Sequence, residues 1–187
     1  MLLPIRIEGY AIISEDGMLA DSTGAMPDSL RIEADQRFFE RGLDGVDVVV
    51  HGRGSHEHQS RSHLRRRLIV TRQVAAIAAD VSNAKALFWN PAGAPFEQAV
   101  AALGTPCRSA GIIGGTDVFG MFLDRYDVFY LSRASDVRLA GGRPVFPQVP
   151  VHTPEEVLAT HGSKAGHRER PVENLTITTW QRSVPPS

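Results

Sequence analysis

IIGGTDVF, at residues 112–119, joins an apolar run to the start of a helical pattern through two adjacent glycines. Glycine adopts unusual backbone dihedrals at little cost and lets the chain pass close to a ligand. The N–H groups at the start of a helix favour an anion such as a diphosphate. This junction of a strand, a glycine turn and a helix is therefore a candidate phosphate-binding turn.

A second junction of the same kind lies upstream, where the apolar run in VVVHGRGS, residues 48–55, also ends in glycine. Other continuous apolar runs, such as residues 68–71 and 86–89, suit strands that are covered on both faces. Helical patterns lie between the strands, at residues 29–41, 95–103 and 116–123. This alternation predicts the α/β fold class, with a mostly parallel central sheet and helices on both faces.

The remaining elements are assigned from shorter patterns. Further strands are expected at residues 5–13, 46–50, 110–113, 128–132 and 175–180. Loops are expected at residues 16–28 and 161–174, the second of them mobile at the surface, and residues 185–187 are expected to fray. Thr153 and Pro154 have the residue types of an N-cap and a first helical position, so a helix is predicted to begin there.

The composition is that of an ordinary globular protein. The 187 residues include 42% hydrophobic and 22% charged residues, which suits one domain over residues 1–187. A formal net charge of −1 gives no reason to expect nucleic acid or a membrane surface as a partner. The single cysteine, Cys107, excludes an internal disulfide, and no signal peptide is recognisable, so we expect a cytoplasmic location. Whether two copies of the chain form a homodimer is left open by the sequence.

The helical pattern at residues 29–41 carries one carboxylate on an apolar stripe. Ile32, Asp35, Phe38 and Phe39 recur three or four residues apart, so they share one face. A charge that faces a core is unfavourable unless it has a partner or a task. Asp35 therefore either makes a structural hydrogen bond or binds a ligand. Burial would also raise its pKa, as proton transfer near neutral pH requires.

Polar and cationic residues follow two of the predicted strands. A helix that begins near Ser55 would offer N–H groups and a hydroxyl to a phosphate, and Arg53 could add a bidentate contact. The alternative is a turn with a solvated arginine. Arg72 stands just past a strand end, where ligands bind in open α/β sheets, so Arg53 and Arg72 could hold one phosphate. The arginine triplet at residues 65–67 is of a kind that usually forms a solvated face.

Other metal and catalytic motifs are absent from the sequence. His51, His56, His58 and His63 surround Glu57, but their spacing matches no known zinc motif, and no metal site is expected. The chain has no full G-x-G-x-x-G fingerprint, no Walker-type lysine and no G-x-S-x-G elbow. Rossmann, P-loop and serine-hydrolase assignments therefore have no support.

From about Ile7 to Trp180, the order of these motifs resembles the dihydrofolate reductase family. On the substrate side, GAMP (24–27) matches the mobile substrate loop, EADQRFF (33–39) the helix with the active-site acid, and YLS (130–132) the strand whose hydroxyl supports that acid. On the cofactor side, VHGRGS (50–55) matches the first cofactor motif, IVTR (69–72) the strand end at the adenosine phosphate, and IGGTDVF (113–119) the second cofactor motif with its cis Gly-Gly bond. FP (146–147) matches a late loop near the sheet. Each match is weak alone, but together in this order they are specific.

The resemblance implies an NADPH-dependent reductase that transfers hydride to a pterin, with dihydrofolate as the expected substrate. It implies that Asp35 is the catalytic acid, which hydrogen-bonds the pterin ring and promotes protonation of the imine nitrogen. Other substrate contacts are implied for Ile12, Met26, Phe39, Arg65, Ile113 and Ser132. Contacts to NADPH are implied for Ala11, Gly52, Arg53, Ser55, Thr71, Arg72, Gly114, Gly115, Thr116, Asp117 and Val118. Arg53 and Arg72 would recognise the 2′-phosphate, and Arg65 or Arg66 would meet the glutamate tail of a folate.

Three positions depart from that family. Asp28 follows Met-Pro where a tryptophan is usual, Phe119 closes the Gly-Gly motif in place of a tyrosine, and Gly142-Arg143 replaces an expected acidic residue. Residues 14–20, SEDGMLA, also resemble the S-x-D-G-x-x-A segment of riboflavin-pathway reductases, which share the fold and NADPH but reduce a ribosylamino-pyrimidine. Those enzymes need no acid in the role of Asp35, which favours a pterin. The alternatives are such a pyrimidine reductase and a catalytically weak protein that binds nucleotide or folate.

Overall fold

A computed structural model describes residues 4–55 and 61–183 of the chain. The strands in these residues are β1 (Arg6–Ser14), β2 (Met18–Ala20), β3 (Val48–Gly52), β4 (Arg67–Val70), β5 (Ile77–Ala79), β6 (Ala86–Trp89), β7 (Ser109–Ile112), β8 (Val128–Ala134), β9 (Arg143–Pro144), β10 (Ser163–Val172) and β11 (Leu175–Arg182). The α-helices are α1 (Glu33–Asp44), α2 (Phe96–Ala101), α3 (Thr116–Met121) and α4 (Pro154–Thr160). Short 3-10 turns lie at Asp28–Leu30 and Ser62–Leu64.

Nine strands form one central sheet in the order β10-β11-β8-β1-β7-β3-β4-β6-β5. The five inner pairings, from β8 through β1, β7, β3 and β4 to β6, are parallel, and the strands at the two edges are antiparallel. The predicted mostly parallel sheet is therefore confirmed. β2 and β9 form a separate antiparallel pair beside it.

The two faces of the sheet are covered by different helices. Alternate residues of β1 point to opposite faces. Ile7, Ala11 and Ile13 pack in one cluster with residues of α2, α3 and α4. Tyr10, between them, packs with Leu43 of α1 in a cluster on the other side. Helices therefore cover both faces of the sheet, as the sequence predicts. This cover explains why the interior strands are continuously apolar.

α1 lies close to the sheet because a glycine allows it to. A Cβ at Gly42 would lie only 2.4 Å from the ring of Tyr10, so α1 crosses the tyrosine without an intervening side chain. Leu43, 1% exposed, then anchors the end of the helix. This packing fixes the helix, and its first turn places Asp35 at the edge of the sheet.

The helix expected at residues 29–41 begins later and ends later, because residues 28–30 form the separate 3-10 turn before it. α4 begins as the sequence predicts. The hydroxyl of Thr153 accepts a hydrogen bond from the backbone N–H of Glu156, whose carboxylate accepts one from the N–H of Thr153. Pro154 follows at the first helical position.

Two loop predictions are wrong. Residues 161–174 contain β10, which pairs with β11 although nine of its ten residues are exposed. The strand is defined by backbone pairing with its neighbour, and exposed polar residues give no alternating pattern that would reveal it. Residues 16–28 likewise contain β2, whose partner β9 lies more than 120 residues away in the chain.

The predicted fraying at 185–187 and part of the predicted helix after Ser55 lie outside the described residues. No helix in the described segments combines the length and the apolar character needed to cross a membrane.

Candidate active site

A cleft of about 1860 Å³ opens at the edge of the sheet where the parallel strands have their carboxyl ends. Ligands bind at this edge in open α/β sheets. Of the residues implied by the resemblance, those that line the cleft are Asp35, Ile12, Met26, Phe39, Ile113, Ala11, Gly52, Ser55, Thr71, Arg72, Gly115, Thr116, Asp117 and Val118. The structure therefore brings together segments that lie up to 107 residues apart in sequence, from Ala11 to Val118.

Asp35 is the carboxylate on the inner wall of this cleft. Its side chain is buried, with 7% of the residue exposed, on the first turn of α1. Burial raises its pKa to about 6 because the charged form loses hydration, and a hydrogen bond with the hydroxyl of Ser132 opposes that rise. Ser132 is 2% exposed on β8, beside Ile12 of β1. Asp35 thus has a structural hydrogen-bond partner and also lines the cleft, and its binding of a ligand stays a prediction.

Apolar side chains surround this carboxyl group. Ile12, Met26 and Ile113 line the cleft from three different segments, and Phe39 lies one helical turn beyond Asp35. Phe39 stands edge-on to Tyr10, with 6.3 Å between ring centroids. A flat heterocycle with polar edges would find an apolar wall and one carboxyl group here.

The double glycine forms the turn between β7 and α3. Gly114 has a φ of +100°, which favours glycine, and the Gly114–Gly115 bond is cis, as the resemblance implies. The carbonyl of Gly114 accepts a hydrogen bond of 2.7 Å from the N–H of Gly52, so the two predicted glycine turns are adjacent. A Cβ at Gly114 would lie 2.8 Å from the ring of Phe119, which packs beneath the turn.

The cleft side of these turns is open enough for a ligand backbone or phosphate. A Cβ at Gly115 would approach only the hydroxyl of Ser55, at 3.8 Å, and one at Gly52 would have no neighbour nearer than 3.7 Å. Arg72, just beyond β4, is exposed and makes no ion pair with the part of the chain that the structure describes. A cationic group and bare glycine backbone therefore face the same space.

Two residues expected to contact ligands have other partners. The guanidinium of Arg65 lies between Glu40 and Asp44 of α1, 2.8 Å from Asp44, and does not line the cleft. The carboxylates of α1 attract it, and its expected contact to a substrate stays a prediction. Arg53 hydrogen-bonds the amide oxygen of Gln73 and lines a separate cavity of about 550 Å³.

The sequence patterns do not indicate that Tyr10 and Arg143 are cleft residues. Tyr10 belongs to a predicted strand, and in the structure it also lines the cleft. Arg143 lines the cleft from β9. Its only sequence signal is that arginine stands where the resemblance implies an acid.

The histidine cluster falls partly outside the described residues, which omit His56, Glu57 and His58. Within the ranges 4–55 and 61–183, no three His, Cys, Asp or Glu side chains are grouped as metal ligands. His51 is fully buried, with its Nδ1 2.7 Å from the carbonyl of Gly52.

No family model and no curated protein sequence matches the chain. Several solved structures match it in fold. A protein described as a riboflavin biosynthesis protein from Shewanella sp. PV-4 superposes with a TM-score of 0.71 at 18% identity, over 96% of this chain and 100% of that chain. A diaminohydroxyphosphoribosylaminopyrimidine deaminase/5-amino-6-(5-phosphoribosylamino)uracil reductase from Thermotoga maritima gives 0.67 at 16% identity, over 96% of this chain and 57% of that chain.

Dihydrofolate reductase from Enterococcus faecalis, complexed with NADP(H) and RAB-propyl, gives a TM-score of 0.66 at 17% identity, over 96% of this chain and 97% of that chain. These likenesses show that the chain has a dihydrofolate-reductase-like fold, which confirms the predicted fold. Pyrimidine reductases and dihydrofolate reductases share it, so the fold alone does not choose a substrate.

Proposed function

We propose that the protein is an NADPH-dependent reductase that transfers hydride to a pterin, reducing dihydrofolate to tetrahydrofolate. The observation that carries the proposal is the environment of Asp35. A carboxyl group with a pKa near 6 lies in an apolar cleft, held by Ser132 and faced by Phe39. A ring with adjacent N–H donors, such as a 2-amino-4-oxo-pyrimidine, is the kind of ligand that such a carboxylate pairs with by two hydrogen bonds.

The residues around the glycine turns fit NADPH. Bare backbone at Gly52 and Gly115 leaves room for a diphosphate, and Arg72, which has no ion pair among the described residues, supplies a cation for a 2′-phosphate. Thr116, Asp117 and Val118 continue the same wall. When bound there, the cofactor would supply the hydride, and the protein would position it against the substrate.

Asp35 would perform the proton side of the reaction. Reduction of a C=N bond adds a hydride to carbon and a proton to nitrogen. With its pKa raised to about 6 by burial, Asp35 exchanges a proton near neutral pH, and Ser132 keeps its carboxyl group oriented. Ile12, Ile113 and Phe39 would exclude water from the reacting atoms.

The test follows NADPH absorbance with dihydrofolate added, for the wild type and Asp35→Asn. Asp136→Asn, an exposed carboxylate outside the cleft, is the matched control. We expect oxidation that needs the substrate, survives in Asp136→Asn and falls at least a hundredfold in Asp35→Asn, the scale of a lost general acid. Saturable NADPH binding without oxidation of any candidate substrate would instead support the binding-only alternative.

A pyrimidine reductase of the riboflavin type is the second candidate, because the SEDGMLA segment folds as a defined unit beside the cleft. The hydroxyl of Ser14 donates to the carboxylate of Asp16 at 2.6 Å, and that carboxylate also accepts the N–H of Leu139 at 3.0 Å. Leu19 and Ala20 of the segment line the cleft. This candidate predicts turnover of 5-amino-6-(5-phosphoribosylamino)uracil and none of dihydrofolate.

A further inference from the structure

Two arginines that line the cleft have no carboxylate partner within residues 4–55 and 61–183, and only one of them has a role so far. Three others are paired: Arg31 with Asp28, Arg37 with Glu33 and Arg61 with Asp44. The side chains of Arg72 and Arg143 make no ion pair or hydrogen bond with the described residues, although both line the cleft. Arg72 is already assigned to the 2′-phosphate, which leaves Arg143.

The fold holds Arg143 at a defined place. It lies on β9 opposite Ala20 of β2, so two paired strands fix its backbone. A Cβ at Gly24 would lie 2.7 Å from its Nε and 2.9 Å from its Cζ, so the guanidinium rests directly on the bare backbone of Gly24. Gly24 has a φ of +88°, in a turn that the carboxylate of Asp21 closes through the N–H groups of Thr23 and Ala25.

The backbone beside Arg143 is also joined to the glycine turn. The hydroxyl of Thr116, the first residue of α3, donates a hydrogen bond to the carbonyl of Pro144. Arg143 is thus one residue away from a contact to the segment where the cofactor diphosphate is proposed to lie.

We propose that Arg143 binds a phosphate group of the ligand in the cleft, namely the diphosphate of NADPH, while its guanidinium stays packed on Gly24. One edge of the planar guanidinium would face the phosphate, and a face would lie on the glycine backbone. Bound phosphate would then tie the loop at residues 21–25 to β9 over the cleft. This inference rests on the proposed cofactor. A substrate phosphate has the same chemistry, and the experiment separates the two sources.

The experiment measures dissociation constants by calorimetry for the wild type, Arg143→Gln and Arg143→Lys. Arg108→Gln, an exposed arginine that does not line the cleft, controls for the loss of one positive charge. The ligands are NADPH, 2′-phospho-ADP-ribose, which keeps the diphosphate, and adenosine 2′-monophosphate, which has neither of its two phosphates. We expect Arg143→Gln to weaken the first two about tenfold and adenosine 2′-monophosphate less than twofold, since one exposed charge-assisted contact is lost. Arg143→Lys should recover part of the loss.

The outcomes are distinct. If the wild type binds NADPH and Arg143→Gln binds all three ligands equally well, the cofactor assignment of Arg143 is wrong. If Arg143→Gln then raises the KM for 5-amino-6-(5-phosphoribosylamino)uracil but leaves NADPH affinity unchanged, the phosphate comes from the substrate and the diphosphate assignment is overturned. A wild type that binds no NADPH would refute the proposed function together with this inference. Equal weakening by Arg108→Gln would reduce the effect to net charge and refute a direct contact.

Discussion

Replacing Asp35 by asparagine should stabilise the ligand-free protein at pH 8 while it removes activity. Burial raises the pKa of Asp35 from 3.8 to about 6, so the folded protein holds this proton more tightly than the unfolded chain. The contribution of Asp35 to the free energy of unfolding is therefore largest below pH 4 and is lost as the pH rises through 6. Asparagine cannot ionise and can still accept a hydrogen bond from Ser132, so it avoids the loss.

The size of the effect follows from the two pKa values. A difference between 3.8 and about 6 is worth about 3 kcal/mol once both states are ionised, at about 1.4 kcal/mol for each pKa unit. About 0.5 kcal/mol of this stability is already lost at pH 4, because the unfolded chain is partly ionised there. The advantage of Asp35→Asn over the wild type should then grow by about 2 kcal/mol between pH 4 and pH 8. For a chain of 187 residues this corresponds to roughly 4–8 °C in melting temperature.

Urea denaturation at pH 4, 5, 6, 7 and 8 measures this directly for the wild type, Asp35→Asn and Asp136→Asn. The other titrating groups are common to the wild type and Asp35→Asn, so they cancel in that difference. Asp136→Asn shows what the loss of an exposed carboxylate does by itself. A difference between Asp35→Asn and the wild type that stays flat with pH would refute the reasoning. A lower free energy of unfolding for Asp35→Asn than for the wild type at pH 8 would also refute it. Asp35 would then be a structural residue whose negative charge is stabilised in the folded protein.

Three further predictions concern single residues of the cleft. Arg72→Ala should weaken NADPH by about 1–3 kcal/mol and NADH much less, measured by calorimetry, since only NADPH carries the 2′-phosphate; equal losses for both cofactors would contradict the assignment. Gly52→Ala should leave the urea midpoint nearly unchanged, because the new Cβ has no neighbour nearer than 3.7 Å, yet weaken NADPH at least tenfold by occupying the cleft wall. Ser132→Ala should raise the pKa of Asp35 further, because the hydrogen bond that lowers it is lost, and an unmoved pH profile of kcat would count against that bond.

The fold could be predicted from particular features of the sequence. Continuous apolar runs such as residues 48–50 require cover on both faces, and α1 and α3 supply it. Asp35 could be identified because a carboxylate on an apolar helix stripe is uncommon, and the structure places it in the cleft. These are local patterns with a direct physical cause.

Long-range pairing and side-chain direction could not be predicted. β9 is two residues long and exists because it pairs with β2 across more than 120 positions. Arg65 and Arg72 look alike in sequence, yet the carboxylates of Glu40 and Asp44 hold Arg65 on α1, whereas Arg72 faces the cleft. Which cation is paired depends on neighbours that only the folded chain brings together.

The most direct test of the central claim is a single-turnover measurement of hydride transfer from NADPH to dihydrofolate, from pH 5 to pH 9, in the wild type and Asp35→Asn. The account predicts a wild-type rate that depends on one protonation with a pKa near 6 and falls about tenfold per pH unit above it, and a slow rate in Asp35→Asn at every pH. Absence of transfer to dihydrofolate, or a profile that Asp35→Asn leaves unchanged, would contradict it.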